Sequence, residues 1–206
     1  MKQILKFTIE EAQNQLTAFF SKDSMFKGNI EVKIEADISL GINDNQQFCE
    51  NTAGLTKLSG NLILIKESLA IPKTDGSKYI YGNTKVFKSY IDDDFKNWGL
   101  DKKSEKTNEV KVNVFELIKD STLKEIFTDQ EKQVMTQHQI IEFCKNHEED
   151  LRQGGSATFF LTKVGKEYFV VRVDVRSGGL IVYVFRLEFG VVWHGEYRPR
   201  VVSPQL

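Results

Sequence analysis

Arginine is missing from the first 151 residues of this 206-residue chain, which carry 20 lysines instead; all six arginines fall between positions 152 and 200. Cysteine is almost missing as well. Cys49 and Cys144 stand far apart, which excludes a disulfide framework and suits a reducing compartment. Three prolines and 14 glycines are too few for a collagen-like or Pro/Gly-rich chain, and 15 phenylalanines supply a core that a disordered segment would lack. No apolar run approaches the roughly 20 residues that cross a bilayer as a helix; the longest is "LIVYVF" at 180–185. The start, "MKQILKFTIEEAQ", turns acidic after nine residues and does not read as a secretory leader. G-x-G-x-x-G, the Walker loop, G-x-S-x-G and H-E-x-x-H do not occur, which takes the common nucleotide and hydrolase readings out of the front rank. These absences lead to the expectation of a cytoplasmic protein with no membrane segment and no cofactor.

What is present is a charge pattern with a direction. The formal net charge is −1, so no global pull toward nucleic acid or anionic lipid exists. Residues 1–100 are net −1, residues 101–150 net −4 and residues 151–206 net +4. The nine residues "DKKSEKTNE" at 101–109 contain no apolar side chain and read as a linker. The expected division is an N-terminal α+β region (1–100), that linker, and a region of helices plus a C-terminal antiparallel sheet (110–206).

Hydrophobic periodicity fills in the elements. Residues 4–8 read as a short strand, 9–22 as an amphipathic helix and 29–41 as a long alternating strand, followed by a polar loop over 42–54. "NLILIKESLAI" (61–71) and "KYIYGNTKVFKSYI" (78–91) flank Asp75-Gly76 and suggest a hairpin. Residues 112–151 read as two or three helices, since Thr122/Glu125, Thr128/Glu131 and Thr136/Gln139 have the spacing of capping boxes. From Ala157 to Val202 the pattern is strand. The fold class is therefore α+β: an N-terminal helix with antiparallel strands, then a helical segment packed on a four-stranded antiparallel meander.

Register in that meander decides which side chains share a face, because a one-residue slip turns a whole strand over. A three-residue Ser177-Gly178-Gly179 loop pairs Val173 with Tyr183 and Val171 with Phe185, giving one continuous apolar face. A loop at Phe189-Gly190-Val191 then places 192–201 beside 180–187. The opposite face would hold Arg172, Asp174, Arg176, Val182, Val184, Arg186, Glu188, His194, Glu196, Arg198 and Arg200. An apolar centre at Val182 and Val184 with an arginine rim resembles an interface. Cross-strand charge pairing on a solvated face is the plainer alternative.

Three further groups have the right residue types for chemistry. Cys144 and His147 share a helix face at i and i+3, in the manner of a Cys-His dyad or two metal ligands, although a buried inert thiol explains Cys144 more simply. His194 and Glu196 form an acid–base pair at strand spacing. Asp92, Asp93 and Asp94 are consecutive and lack calcium-loop spacing, so no metal is expected; His138 stands alone on its helix. The functional expectation is a non-enzymatic adaptor- or inhibitor-like protein that binds another protein or a second copy of itself. The alternatives are a nucleic-acid or anionic-ligand binder using the arginine face, and an enzyme using His194/Glu196 or Cys144/His147.

Overall fold

A seven-stranded mixed sheet organises the chain, in the order Leu62–Ile71, Val110–Leu117, Arg200–Pro204, Ala157–Val164, Glu167–Arg176, Gly179–Arg186, Tyr90–Ile91. The computed structural model describes residues 60–154 and 157–205, all within one compact unit. The strand at 4–8, the helix at 9–22, the strand at 29–41 and the loop at 42–54 expected from the sequence lie outside the described residues. The strands are β1 (Leu62–Ile71), β2 (Tyr90–Ile91), β3 (Val110–Leu117), β4 (Ser121–Thr122), β5 (Ala157–Val164), β6 (Glu167–Arg176), β7 (Gly179–Arg186), β8 (Val192–Trp193) and β9 (Arg200–Pro204). Strands β4 and β8 form a separate two-stranded ladder. The helices are α1 (Asp94–Asn97), α2 (Leu123–Ile126), α3 (Gln130–Gln133) and α4 (Gln137–Asn146), with 3-10 turns at Ile80–Gly82, Glu148–Asp150 and Gly195–Tyr197. The class is a mixture of helix and sheet, as the periodicity suggests.

Both faces of the sheet are covered, and this explains most of its sequence. On one side Val171, Val173, Val182, Val184, Phe160 and Val202 pack with Ile140, Ile141 and Phe143 of α4. On the other, Val170, Phe159, Leu161, Val201 and Phe115 pack with Leu123 and Ile126 of α2. A strand buried on both faces reads as a near-continuous apolar run, as "FFL" in β5, "FVV" in β6 and "VV" in β9 do.

Several expectations are corrected here. Residues 112–117 are strand β3, not helix; its last six residues are all buried, so the two-sided pattern mimics a helical one. The 61–71 and 78–91 segments form no hairpin: β1 pairs antiparallel with β3, while β2 adds parallel to β7. The polar stretch 101–109 therefore does not separate one sheet from another, since strands before and after it are hydrogen-bonded neighbours. The 167–186 hairpin turns through Ser177-Gly178, pairing Val173 with Val182, Arg172 with Tyr183 and Arg176 with Gly179. That is one residue from the three-residue loop, and it turns β7 over. The last strand does not lie beside β7, whose free edge β2 occupies. Strand β9 instead crosses to sit between β3 and β5, antiparallel to the first and parallel to the second. The meander is thus β5-β6-β7, three strands rather than four.

The local signals fare differently. Thr122/Glu125 and Thr136/Gln139 form complete capping boxes at the starts of α2 and α4. The Thr128/Glu131 box does not form, because α3 starts one residue later with Asp129 at its N-cap. Gly165-Lys166 joins β5 to β6 as the pattern suggests, Val164 pairing with Glu167.

Candidate functional site

Strand β6 carries Arg172 and Asp174 two residues apart, so both project from the same face, among Phe159 and Ala157 of β5 and Tyr183 and Ile181 of β7. Burial of two charges among apolar neighbours is tolerable only if they satisfy each other. Arg172 donates from Nε to Oδ1 of Asp174 at 2.9 Å and from Nη2 to Oδ2 at 2.7 Å. That planar two-point match is the geometry in which arginine excels over lysine. The Asp174 side chain is 1% exposed and Arg172 23%, so the carboxylate is the buried anchor and the guanidinium its outward partner. Arg176 adds a longer bond to the same carboxylate at 3.4 Å.

The guanidinium of Arg172 faces two rings, 5.5 Å from the Tyr183 centroid and 5.1 Å from that of Trp193, within cation–π range. Trp193 is delivered by a clasp. Ser121 and Thr122 of β4 pair with Trp193 and Val192 of β8. Asp120 binds both members of the following residue pair: Oδ2 lies 2.8 Å from His194 Nδ1 and Oδ1 accepts from Gly195 N at 2.9 Å. The hydrogen bond with His194 first, and then that from Gly195 N, hold the Asp120 carboxyl below its usual range. Gly195 is required for the clasp to close, since a Cβ there would meet the Ile118 carbonyl carbon and Lys119 N at 2.5 Å. The indole packs edge-on against Phe159 at 4.8 Å and Phe185 at 6.0 Å. Its Nε1 is buried without a hydrogen-bond partner among the described residues.

A cleft of about 450 Å³ opens beside this stack, between Arg172, Trp193, His194, Tyr197, Ala157 and Gly154. Its mouth is apolar: Val191, Val192 and Tyr197 are 43%, 46% and 58% exposed. Phe189, also exposed, stacks on Phe185 at 5.1 Å. Exposed apolar residues scattered singly mean little, but a run of them around a concave site marks a binding surface.

The structure divides the residues read from the sequence as one face. Val182 and Val184 are fully enclosed in the core, so the apolar centre of that expected face does not exist. Arg172, Asp174 and Arg176 come together as described. Arg186 lies on the opposite side, bonded to Glu167 at 2.7 Å and over the rings of Trp98 and Phe169. Arg198 binds Glu116 at 2.9 Å, and Arg200 donates to the backbone oxygens of Asp150 and Leu151 at 2.8 and 3.1 Å. Glu188 and Glu196 are exposed. Each arginine of the expected face therefore already has an acceptor, which leaves little for a phosphate backbone.

Of the other chemical candidates, Cys144 is buried and its thiol is pushed up by that burial, the opposite of an activated nucleophile. His147 caps α4 with Nε2 3.0 Å from the Ala70 carbonyl oxygen. His194 pairs with Asp120 rather than with Glu196. Asp92 and Asp94 serve the start of α1, the side chain of Asp92 accepting from Asp94 N at 3.1 Å. Sequence reasoning does not find Asp120, Trp193 and Tyr197 as site residues. For Trp193 and Tyr197 the sole advance signal is the aromatic and apolar density of "FGVVWHGEY"; Asp120 has none. No family model, curated protein or solved structure matches the chain.

Proposed function

We propose that this is a small cytosolic non-enzymatic binding protein, an adaptor or inhibitor, that grips a partner polypeptide at the Arg172–Trp193 cleft. The observation that carries this reading is the exposed group Val191, Val192 and Tyr197 around a cleft whose wall is an arginine already locked to a buried carboxylate. Tryptophan, tyrosine and arginine are the residue types that dominate binding energy at protein interfaces. A wall held by packing and a bidentate ion pair loses little entropy on association. The partner would seat an apolar side chain in the cleft, against Trp193 and Tyr197.

A photo-crosslinking residue at Val192, compared with one at Lys166 in the β5–β6 turn, tests this in cells. The expected result is a discrete adduct from position 192, absent from 166, and lost when Tyr197→Ala and Trp193→Ala are added. An adduct of two chains would identify the partner as a second copy. Equal labelling at both positions, or labelling indifferent to those substitutions, overturns the proposal.

A further inference from the structure

A second cleft, of about 780 Å³, lies on the other side of the fold, between the 72–78 segment, residues 106–108 and helix α4. We propose that it binds a small oxyanion, the phosphate or carboxylate group of a low-molecular-weight ligand, against His138. Its size is in the range of small-molecule sites.

His138 forms the floor. Its side chain is 7% exposed, and Nδ1 has no hydrogen-bond partner among the described residues. A buried polar nitrogen left unmatched is costly and rare in a native interior. The other ring nitrogen, Nε2, faces Glu142 Oε1 at 3.6 Å. Burial first, and the charge of Lys78 second, hold the imidazole below its ordinary pKa, so at neutral pH it has one N–H to give rather than two.

The charges around it leave a place for an anion. Lys78 Nζ sits 2.6 Å from Glu142 Oε1, and Lys145 3.9 Å from its other oxygen, which neutralises that carboxylate. Lys73 and Lys106 line the cleft and pair with no carboxylate among the described residues. The remaining acid is Asp75, whose side chain is 74% exposed. Its Oδ1 accepts from Ser77 N at 2.9 Å and Ser77 Oγ at 2.6 Å, and stands 3.3 Å from His138 Nδ1 without making a hydrogen bond to it. The chain's own carboxylate thus occupies, in poor geometry, the position an incoming oxyanion would take. Two ammonium groups at the rim argue for an anion and against a metal cation bridging His138 and Asp75.

The walls are set in advance, which spares the ligand the cost of ordering them. Thr74 and Thr107 exchange two backbone hydrogen bonds of 3.0 and 2.9 Å, and their hydroxyls meet at 2.9 Å. Gly76, at φ +72°, lets the turn press so close to the 104–105 backbone that a Cβ would fall 2.1 Å from the Ser104 carbonyl oxygen.

The probes are inorganic phosphate and, separately, succinate, added to the full chain at constant ionic strength while the three imidazoles are followed by NMR. The expected result is a saturable shift confined to His138, with its protonation midpoint raised by up to about a unit, as a nearby negative charge demands. By linkage, affinity then increases as pH falls through that midpoint. The groups facing the ring are the carboxylates of Asp75 and Glu142 and the ammonium of Lys78, with Lys73 and Lys106 at the rim. Lys73→Ala with Lys106→Ala should weaken binding at least about tenfold with melting unchanged, while Asp75→Asn should strengthen it. Saturation by one probe alone assigns the ligand's group as phosphate or carboxylate. A shift shared by all three imidazoles, an unmoved His138, or unchanged affinity in the double lysine variant overturns the proposal.

Discussion

The Arg172–Asp174 pair makes the sharpest quantitative demand. Asp174→Asn keeps the shape of the side chain and removes its charge, leaving a guanidinium that is 23% exposed without a counter-ion. Breaking a fully buried pair costs about 3–5 kcal/mol. Partial exposure of Arg172 lets water recover some of that, so about 2–3 kcal/mol is expected, or a fall in Tm of about 4–12 °C for a chain of this size. Arg172→Met is the harsher change, because it strands a carboxylate that is 1% exposed with only the 3.4 Å bond from Arg176; about 3–5 kcal/mol is expected. The double variant replaces the pair with two neutral groups and should cost less than the sum, with a coupling of about 2 kcal/mol. Urea unfolding followed by circular dichroism, at matched m-values, measures all four corners of the cycle. A coupling below about 0.5 kcal/mol, the level of an exposed surface pair, would refute the account of a buried anchor. So would a cheaper Arg172→Met than Asp174→Asn, since the asymmetry follows from which partner is buried.

Other outcomes follow from the same packing. Val184→Ala should cost about 2 kcal/mol, as loss of buried methyl groups in the core does, whereas a residue on a solvated face would change stability by under about 0.5 kcal/mol; thermal denaturation decides, and a small value would sink the observed β6–β7 register. The clasp should be acid-labile. Asp120 has its carboxyl held low in the folded state, so its contribution is present above about pH 4 and is lost as pH falls through the depressed folded value. In a Trp98→Phe background, Trp193 fluorescence should change as pH falls below the ordinary carboxylate range, and Asp120→Asn should abolish that step; a step of equal size in the variant would exonerate the carboxylate.

Which features are legible in the sequence depends on how far apart the interacting groups lie. The two capping boxes span four residues each, and the Gly165-Lys166 turn spans two, so local sequence contains every atom that decides them. The β6–β7 register is equally local, yet alternation misleads there, and the cause is burial on both faces. An amphipathic strand announces its register by alternation. In β6 the apolar residues Val170 and Val171 serve opposite cores, so a slip by one residue exchanges one apolar partner for another. Charge does not break the tie, because Arg172 and Asp174 cancel each other on one strand and need no polar face at all.

The same cancellation explains the abrupt change from lysine to arginine, which by itself suggests a binding face. A lysine can satisfy a carboxylate from the flank of the fold, as Lys66 does with Asp150 and Lys78 with Glu142, since those lysine side chains stay 46% and 42% exposed. The C-terminal strands pose a different problem. Arg172 must lie between rings and bind both oxygens of an enclosed carboxylate, Arg186 must cover Trp98 and Phe169 while reaching Glu167, and Arg200 must serve two backbone carbonyls at once. Flat, multidentate donors meet those demands and an ammonium does not. Arginine is therefore concentrated where the sheet needs it for its own construction, and the surface left for recognition is the apolar one beside it. The histidine cleft has no such marker. Its residues, Asp75, Lys78, Lys106, His138 and Glu142, come from three separate stretches of chain joined only by tertiary contact, so a lone histidine on a helix is all that the linear pattern can display.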